Sequence, residues 1–183
     1  MFVPESNISI SVVTAVIPAK PDSLKLIEKT AYSAFLEWSV PYPMQNFSPG
    51  LLQRVEYLPQ WESRESWHSV DTSRLNTKQS KHELNITSLK YANTLYDIRV
   101  YLKSAKASAN DDSLWSAPSA ITVKTKPDLP GSPPRTDIGS FEVLNHVDDR
   151  EIYIYWQTIP DFHQNGDEFG YRIVDINENG VNV

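Results

Sequence analysis

Along several short stretches of this chain apolar and polar residues alternate in steps of two, the period of a strand with one face buried and one face wet. The clearest is 96–103, where Tyr96, Ile98, Val100 and Leu102 interleave with Asp97, Arg99, Tyr101 and Lys103. Stretch 33–40 sets Ala34, Leu36 and Trp38 against Phe35 and Glu37, and Pro41 ends it. Stretches 52–57, 66–70 and 82–87 follow, the last with Leu84 and Ile86 on one side. Residues 22–28 form a weaker first strand, and 120–125 return after the 96–103 strand. These strands, parted by charged or proline-bearing turns, predict an all-β sandwich over 20–126.

On either side the pattern changes. The run ISISVVTAVI at 8–17, closed by Pro18 and Pro21, predicts a strand without partners, so 1–19 reads as an arm or as the last strand of a preceding domain. Four prolines in 127–135 make that stretch a stiff linker. Strand patterns then restart at 140–144, 151–156 and 170–176. Fifteen residues separate Trp38 from Gln53, and fifteen separate Trp156 from Tyr171, so that Gln53-Arg54-Val55 falls on Tyr171-Arg172-Ile173. Two copies of one unit account for this, the second occupying 136–183. Three strands cannot close a sandwich, so the expectation is one complete domain followed by a truncated second copy, a fragment of a longer protein.

Composition narrows the class. Nine Tyr, five Trp and six Phe with 13 Pro against six Gly suit short strands joined by rigid turns. A net charge of −6 argues against a nucleic-acid partner, which needs a positive surface. With no cysteine there is no disulfide and no thiolate metal site, and the redox compartment is left unread. No apolar run is long enough to span a membrane, and the first residues lack the basic start of a signal peptide.

Trp38 ahead of Pro41, Tyr57, Trp67 and Val70 in SWHSVD, and Leu89 before Tyr96 with Ile98, Arg99 and Val100 together resemble the fibronectin type III domain, an immunoglobulin-like β-sandwich. The resemblance covers nearly all of 20–126, and its first half recurs over 133–183. One spacing departs: Leu89 and Tyr96 are seven residues apart, one more than the family pattern, which a longer turn before the sixth strand absorbs. The resemblance implies that Trp38 is the central plug of a core including Tyr57 and Leu89, and that Trp156 plays that part in the second copy. It also implies that Tyr96 buries its ring and sends its hydroxyl to upstream backbone, the tyrosine corner of such sandwiches.

One turn points beyond fold. Asp112-Ser113-Leu114-Trp115-Ser116 matches four of the five positions of the Trp-Ser-X-Trp-Ser box of class I cytokine receptors. Ordinary fibronectin type III domains carry a Ser-x-x-Ser-x-Pro turn at this place, which 113–118 also satisfies, so both readings stand. In the receptor family the box tryptophans interleave with arginines of the neighbouring strand. That implies Arg99 stacked on Trp115 with Ser113 and Ser116 beside them, and Asp112, in place of the first tryptophan, paired with Arg99 or Lys103. The resemblance, nearest to arthropod members of the interleukin-6 signalling type, implies the extracellular part of a plasma-membrane receptor working through JAK/STAT. Its partners would be a helical cytokine or neighbouring receptor domains, with receptor dimerisation. Tyr42 and Phe47 in the 41–50 loop are candidate ligand contacts, although either suits a loop anchor, and Trp61 suits the cover of a strand end. The four cysteines that such receptors carry in an upstream domain are missing from this sequence.

Two other readings compete: spacer or adhesion repeats of a cell-adhesion molecule or receptor tyrosine phosphatase, and an accessory module of a secreted carbohydrate-active enzyme. No catalytic constellation, metal site or cofactor is expected. His68, His82, His146 and His163 are scattered, the Asp111-Asp112 and Asp148-Asp149 pairs sit in polar turns, and there is no phosphate-cradling glycine loop. Sequons at Asn7, Asn46 and Asn85 are glycosylation candidates, close to the number composition alone would give.

Overall fold

Strand register decides which alternating residues meet, and here it follows the apolar set. In the computed structural model, which describes residues 16–173, β2 (Ala34–Ser39) lies between β1 (Asp22–Lys29) and β5 (Lys81–Ile86). The register sets Ala34 beside Ile86, Leu36 beside Leu84 and Trp38 beside His82, so one face of this three-stranded sheet is apolar. The facing sheet has four strands in the order β4 (His68–Leu75), β3 (Leu51–Pro59), β6 (Leu95–Ser104) and β7 (Ser119–Lys124). All these neighbours pair antiparallel. A three-on-four sandwich with β4 beside β3 is the fibronectin type III arrangement of an immunoglobulin-like fold.

The core sits between the sheets. Trp38 is 0% exposed and is surrounded by Leu36, Val55, Ile86, Leu89, Tyr96, Ile98 and Val100. Tyr57 is less enclosed: it packs on this cluster near a sheet margin, with His68 stacked on its ring at 5.0 Å. A second cluster, Val40, Leu51, Leu75 and Leu102, fills the end beneath the β2–β3 loop. The Tyr96 hydroxyl accepts from the Tyr91 amide at 2.8 Å and donates to the Tyr91 carbonyl at 3.0 Å, which is a tyrosine corner. Burial pushes the Tyr96 phenol up to about 12.

The stretch expected to form a second copy is built differently. β8 (Phe141–Asn145) pairs with β9 (Arg150–Ile154), and every residue of both is exposed. Trp156 is therefore not a core plug: no facing sheet covers this hairpin among the described residues, and its indole is 38% exposed, tilted against Tyr171 at 5.4 Å. The strand expected at 170–176 is not paired over 170–173, and its remainder lies outside the described residues. So do Asn7 and most of the 8–17 stretch, while Val16 and Ile17 are exposed and unpaired in any ladder. Where the pattern suggested only loop, the chain makes one helical turn, α1 (Asp161–Gln164). The fourth strand starts at His68 rather than 66, because the Ser66 amide turns back to Ser63 O at 2.8 Å, and it runs on to Leu75.

Candidate functional site

Register also places the arginine–aromatic ladder. On the outer face of the four-stranded sheet Arg54 of β3 lies opposite Tyr101 of β6, and Glu56 lies opposite Arg99. The Arg54 guanidinium sits 4.8 Å from the Tyr101 ring centre and 4.7 Å from that of Trp115, filling the space between them. Trp115 thus takes Arg54, not the expected Arg99, as its cation. Arg99 is one register step away and lies 3.7 Å over Trp67 instead. The partner was missed because no sequence pattern says which residue of β3 faces Tyr101.

Asp112, where the box would have its first tryptophan, closes the stack. Its Oδ1 accepts from Arg54 Nη1 and from Trp115 Nε1, each at 3.2 Å, so the expected pairing with Arg99 or Lys103 is replaced by Arg54. Glu56 stands 3.2 Å from Arg54 Nε. Lys103, placed on the wet face by alternation, is 1% exposed. Its ammonium lies 5.3 Å from the Trp115 ring and donates to the carbonyls of Ala109 and Asp111 at 3.3 and 2.9 Å, pinning the β6–β7 turn over itself.

The two serines of the turn act on backbone. Ser116, 4% exposed, accepts from the Leu102 amide at 3.0 Å through its hydroxyl, while its own amide donates to Leu102 O at 2.8 Å, extending the ladder to β6. Ser113 donates its amide to Asp111 Oδ1 at 3.0 Å and its hydroxyl to the same oxygen at 2.5 Å, and these bonds hold the Asp111 carboxyl below the usual range.

At the same end of the sandwich, the β2–β3 and β6–β7 loops meet where the Ala105 amide donates to Gly50 O at 2.9 Å. Here Tyr42 and Phe47 separate. Phe47 packs on the second core cluster and anchors the loop, whereas Tyr42, on a short 3-10 turn behind Pro41, is 85% exposed. Asn46 in this loop and Asn85 on β5 are both exposed.

The opposite end forms an elbow with the stretch beyond the linker. Phe162 of α1 reaches under the sandwich, 5.7 Å from Tyr91 and 6.5 Å from Trp61 by ring centres. Trp61 is 41% exposed and donates from its indole to Thr94 Oγ1 at 3.0 Å. The backbone beyond α1 is tied to the linker. Asn165, in the left-handed region at φ 58°, gives its side-chain amide to Leu129 O at 2.8 Å and receives the Asp128 amide at 3.0 Å. Asp167 accepts from Asn93 Nδ2 at 2.9 Å and from Lys124 Nζ at 2.5 Å, and both partners hold its carboxyl down. No motif signalled this joint.

Among the described residues no group of His, Asp and Glu is arranged to hold a metal ion, and no helix is long and apolar enough to cross a membrane. A cavity of about 480 Å³ opens beside Trp156, Tyr171 and Pro133.

No family model matches the chain. It is 32% identical over 171 residues to a cytokine receptor of Drosophila melanogaster, covering 91% of this chain and 12% of that receptor. It is 27% identical over 165 residues to the fly cell adhesion molecule Dscam1, covering 90% of this chain and 7% of that molecule. The chain therefore spans only a small part of either relative. Among solved structures, the FN1–FN3 domains of chicken CNTN1 align at 16% identity with a TM-score of 0.42, over 60% of this chain and 31% of that one. A computationally redesigned β-sandwich aligns at 20% identity with a TM-score of 0.41, over 58% of this chain and 94% of that one.

Proposed function

We propose that the chain, similar over 91% of its length to a fly cytokine receptor and built on the fibronectin type III fold, is an extracellular part of a cell-surface receptor that binds a protein ligand or holds the domains that do. The observation that carries this reading is the similarity to the fly cytokine receptor, which runs through the sandwich, the linker and the second copy alike. The ladder supports it independently. A box with four of five residues in place has its tryptophan seated on a guanidinium, and the one departure, Asp112, binds that same guanidinium.

In this reading the sandwich divides its labour between its ends. The loop end presents Tyr42, an aromatic held out by a rigid proline turn, as the candidate contact for a helical cytokine, and Phe47 supports it from beneath. The other end joins the next copy. Signalling through JAK/STAT and receptor dimerisation belong to the same proposal, as does a boundary scheme of a fibronectin domain at 20–126, a linker at 127–135 and a second copy from 136.

The similarity to Dscam1 favours a second reading, in which these repeats are spacers or homophilic contacts. One pair of experiments separates the two. The chain is grafted in place of the matching stretch of the fly cytokine receptor, and ligand-dependent STAT phosphorylation is followed in fly cells. Beads coated with the chain are watched for self-clustering. Retained signalling that drops with Tyr42→Ala, together with dispersed beads, is the expected result. Lost signalling with clustered beads would select adhesion.

A further inference from the structure

Charged and polar residues dominate the outer face of the three-stranded sheet, although Ile27 of β1 is 46% exposed. Its three strands contain two aromatic residues, and while Trp38 points into the core, Phe35 points out. Around it the face carries charge: Glu37 sits between Lys25 at 2.9 Å and Lys81 at 3.2 Å. No ring contact to Phe35 exists among the described residues, yet the side chain is half-buried in a shallow trough of about 250 Å³ with Glu28, Thr30, Ser33 and Asn85. Asn85 lies directly opposite Phe35 in the β2–β5 register. On one face of an antiparallel pair, such residues hold their Cβ atoms about 4.5–5.5 Å apart. Asn85-Ile86-Thr87 is a sequon, and Asn85 and Thr87 are exposed.

We propose that Asn85 carries an N-linked glycan whose first N-acetylglucosamine lies in this trough with its apolar face on the Phe35 ring. In the transfer the Asn85 amide nitrogen bonds to C1 of the sugar, the bond from C1 to a polyprenyl diphosphate breaks, and one amide proton leaves with the diphosphate. The C–H groups of a pyranose face are weak donors that suit the negative face of an aromatic ring. Thr30, Ser33 and Glu28 border the trough with polar groups able to meet the sugar's hydroxyl and acetamide groups. β5 is also one of the two edge strands of its sheet, and a bulky glycan there blocks pairing with another chain's strand. This rests on the extracellular reading above, since transfer takes place only on the secretory route.

The test is secretion of the full chain from insect cells, peptide mass spectrometry at each sequon, and trimming of the glycans to one sugar before thermal melting. Thr87→Ala removes the Asn85 site without touching Asn85, and each form is compared in the Phe35 and Phe35→Leu backgrounds. The expected result is occupancy at Asn85 and a gain of about 2–4 °C in Tm from its sugar, a gain that vanishes with Phe35→Leu. Any contribution from a sugar at Asn46, which lies in the β2–β3 loop away from the trough, is unchanged by that substitution. An equal gain with and without the ring overturns the cradle. Absence of sugar at Asn85, whether or not Asn7 or Asn46 carries one, overturns the site while leaving the extracellular reading to the receptor graft.

Discussion

Trp38 and Trp156 stand at matching places in the sequence pattern, each fifteen residues ahead of its counterpart on the third stretch, yet Trp38 is 0% exposed and Trp156 is 38% exposed. The difference lies in what faces them. Trp38 projects from β2 onto Val55, Ile98 and Val100 of a four-stranded sheet, whereas the β8–β9 hairpin has no sheet across from it among the described residues. A repeat in sequence thus fixes which residue is the plug, but burial requires the opposite layer. The stretch beyond the linker instead contributes a peg, Phe162, set beneath the sandwich between Tyr91 and Trp61.

The sharpest way to break this comparison is to truncate both tryptophans. Trp38→Ala should cost about 3–5 kcal/mol, enough to unfold most of the chain near body temperature. Trp156→Ala should cost about 1 kcal/mol or less, since its surroundings are already open to water. Urea titrations followed by far-UV circular dichroism measure both. Equal costs would mean that the second copy has a closed core after all.

Tyr96→Phe comes next. It removes both corner bonds and leaves the Tyr91 amide and carbonyl without that partner, a loss of about 1–3 kcal/mol. The substitution also has a pH signature. The phenol titrates near 12 folded against an ordinary 10.0, so between those values the unfolded chain binds fewer protons and stability falls as pH rises. The wild-type chain should therefore lose stability from pH 10 to 12, and Tyr96→Phe should lose markedly less over the same window. Parallel curves would show that another group sets the alkaline limb.

These two substitutions mark what the residue pattern revealed and what it hid. Strand alternation disclosed the seven strands between Asp22 and Lys124 because each buried face repeats every second residue, and the fibronectin type III resemblance supplied the Trp38 and Tyr96 landmarks. The box turn was visible as a motif, but its cation was not: Arg54 meets Trp115 through the β3–β6 register, a long-range pairing written in no local period. Lys103 was misplaced for a related reason, since alternation puts it on the wet face and only the fold shows the turn closing over it. α1 offered too little to read, four residues without a period, and its role comes from what it touches.

Phe162→Ala tests the peg. About half of a phenylalanine's burial is at stake, about 1 kcal/mol. The clearer readout is the linker: with the peg gone, trypsin should cut after Arg135 several-fold faster, while Tm of the sandwich changes little. Asp167→Asn at unchanged pH should have the same effect, because the carboxylate accepts from Lys124 and Asn93 and the substitution removes the ion pair. Cleavage that is indifferent to both changes would show that the Asn165 and Gly131 backbone bonds alone hold the elbow.

The smallest effect distinguishes the two arginines of the ladder. Arg54 faces two rings and two carboxylates, Asp112 and Glu56, whereas Arg99 is held against one ring, that of Trp67. Arg54→Ala should therefore cost about 1–2 kcal/mol and Arg99→Ala about 0.5–1 kcal/mol. Arg54→Lys keeps the charge but loses the plane that slides between Tyr101 and Trp115, so it should recover only the ion-pair part. The fluorine resonance of Trp115 in 5-fluorotryptophan-labelled protein, assigned by its loss in Trp115→Phe, reports the site directly. It should shift in Arg54→Ala and stay put in Arg99→Ala, where the Trp67 resonance moves instead, since in this fold the box tryptophan answers to β3. The opposite order would restore the pairing that strand alternation alone suggests.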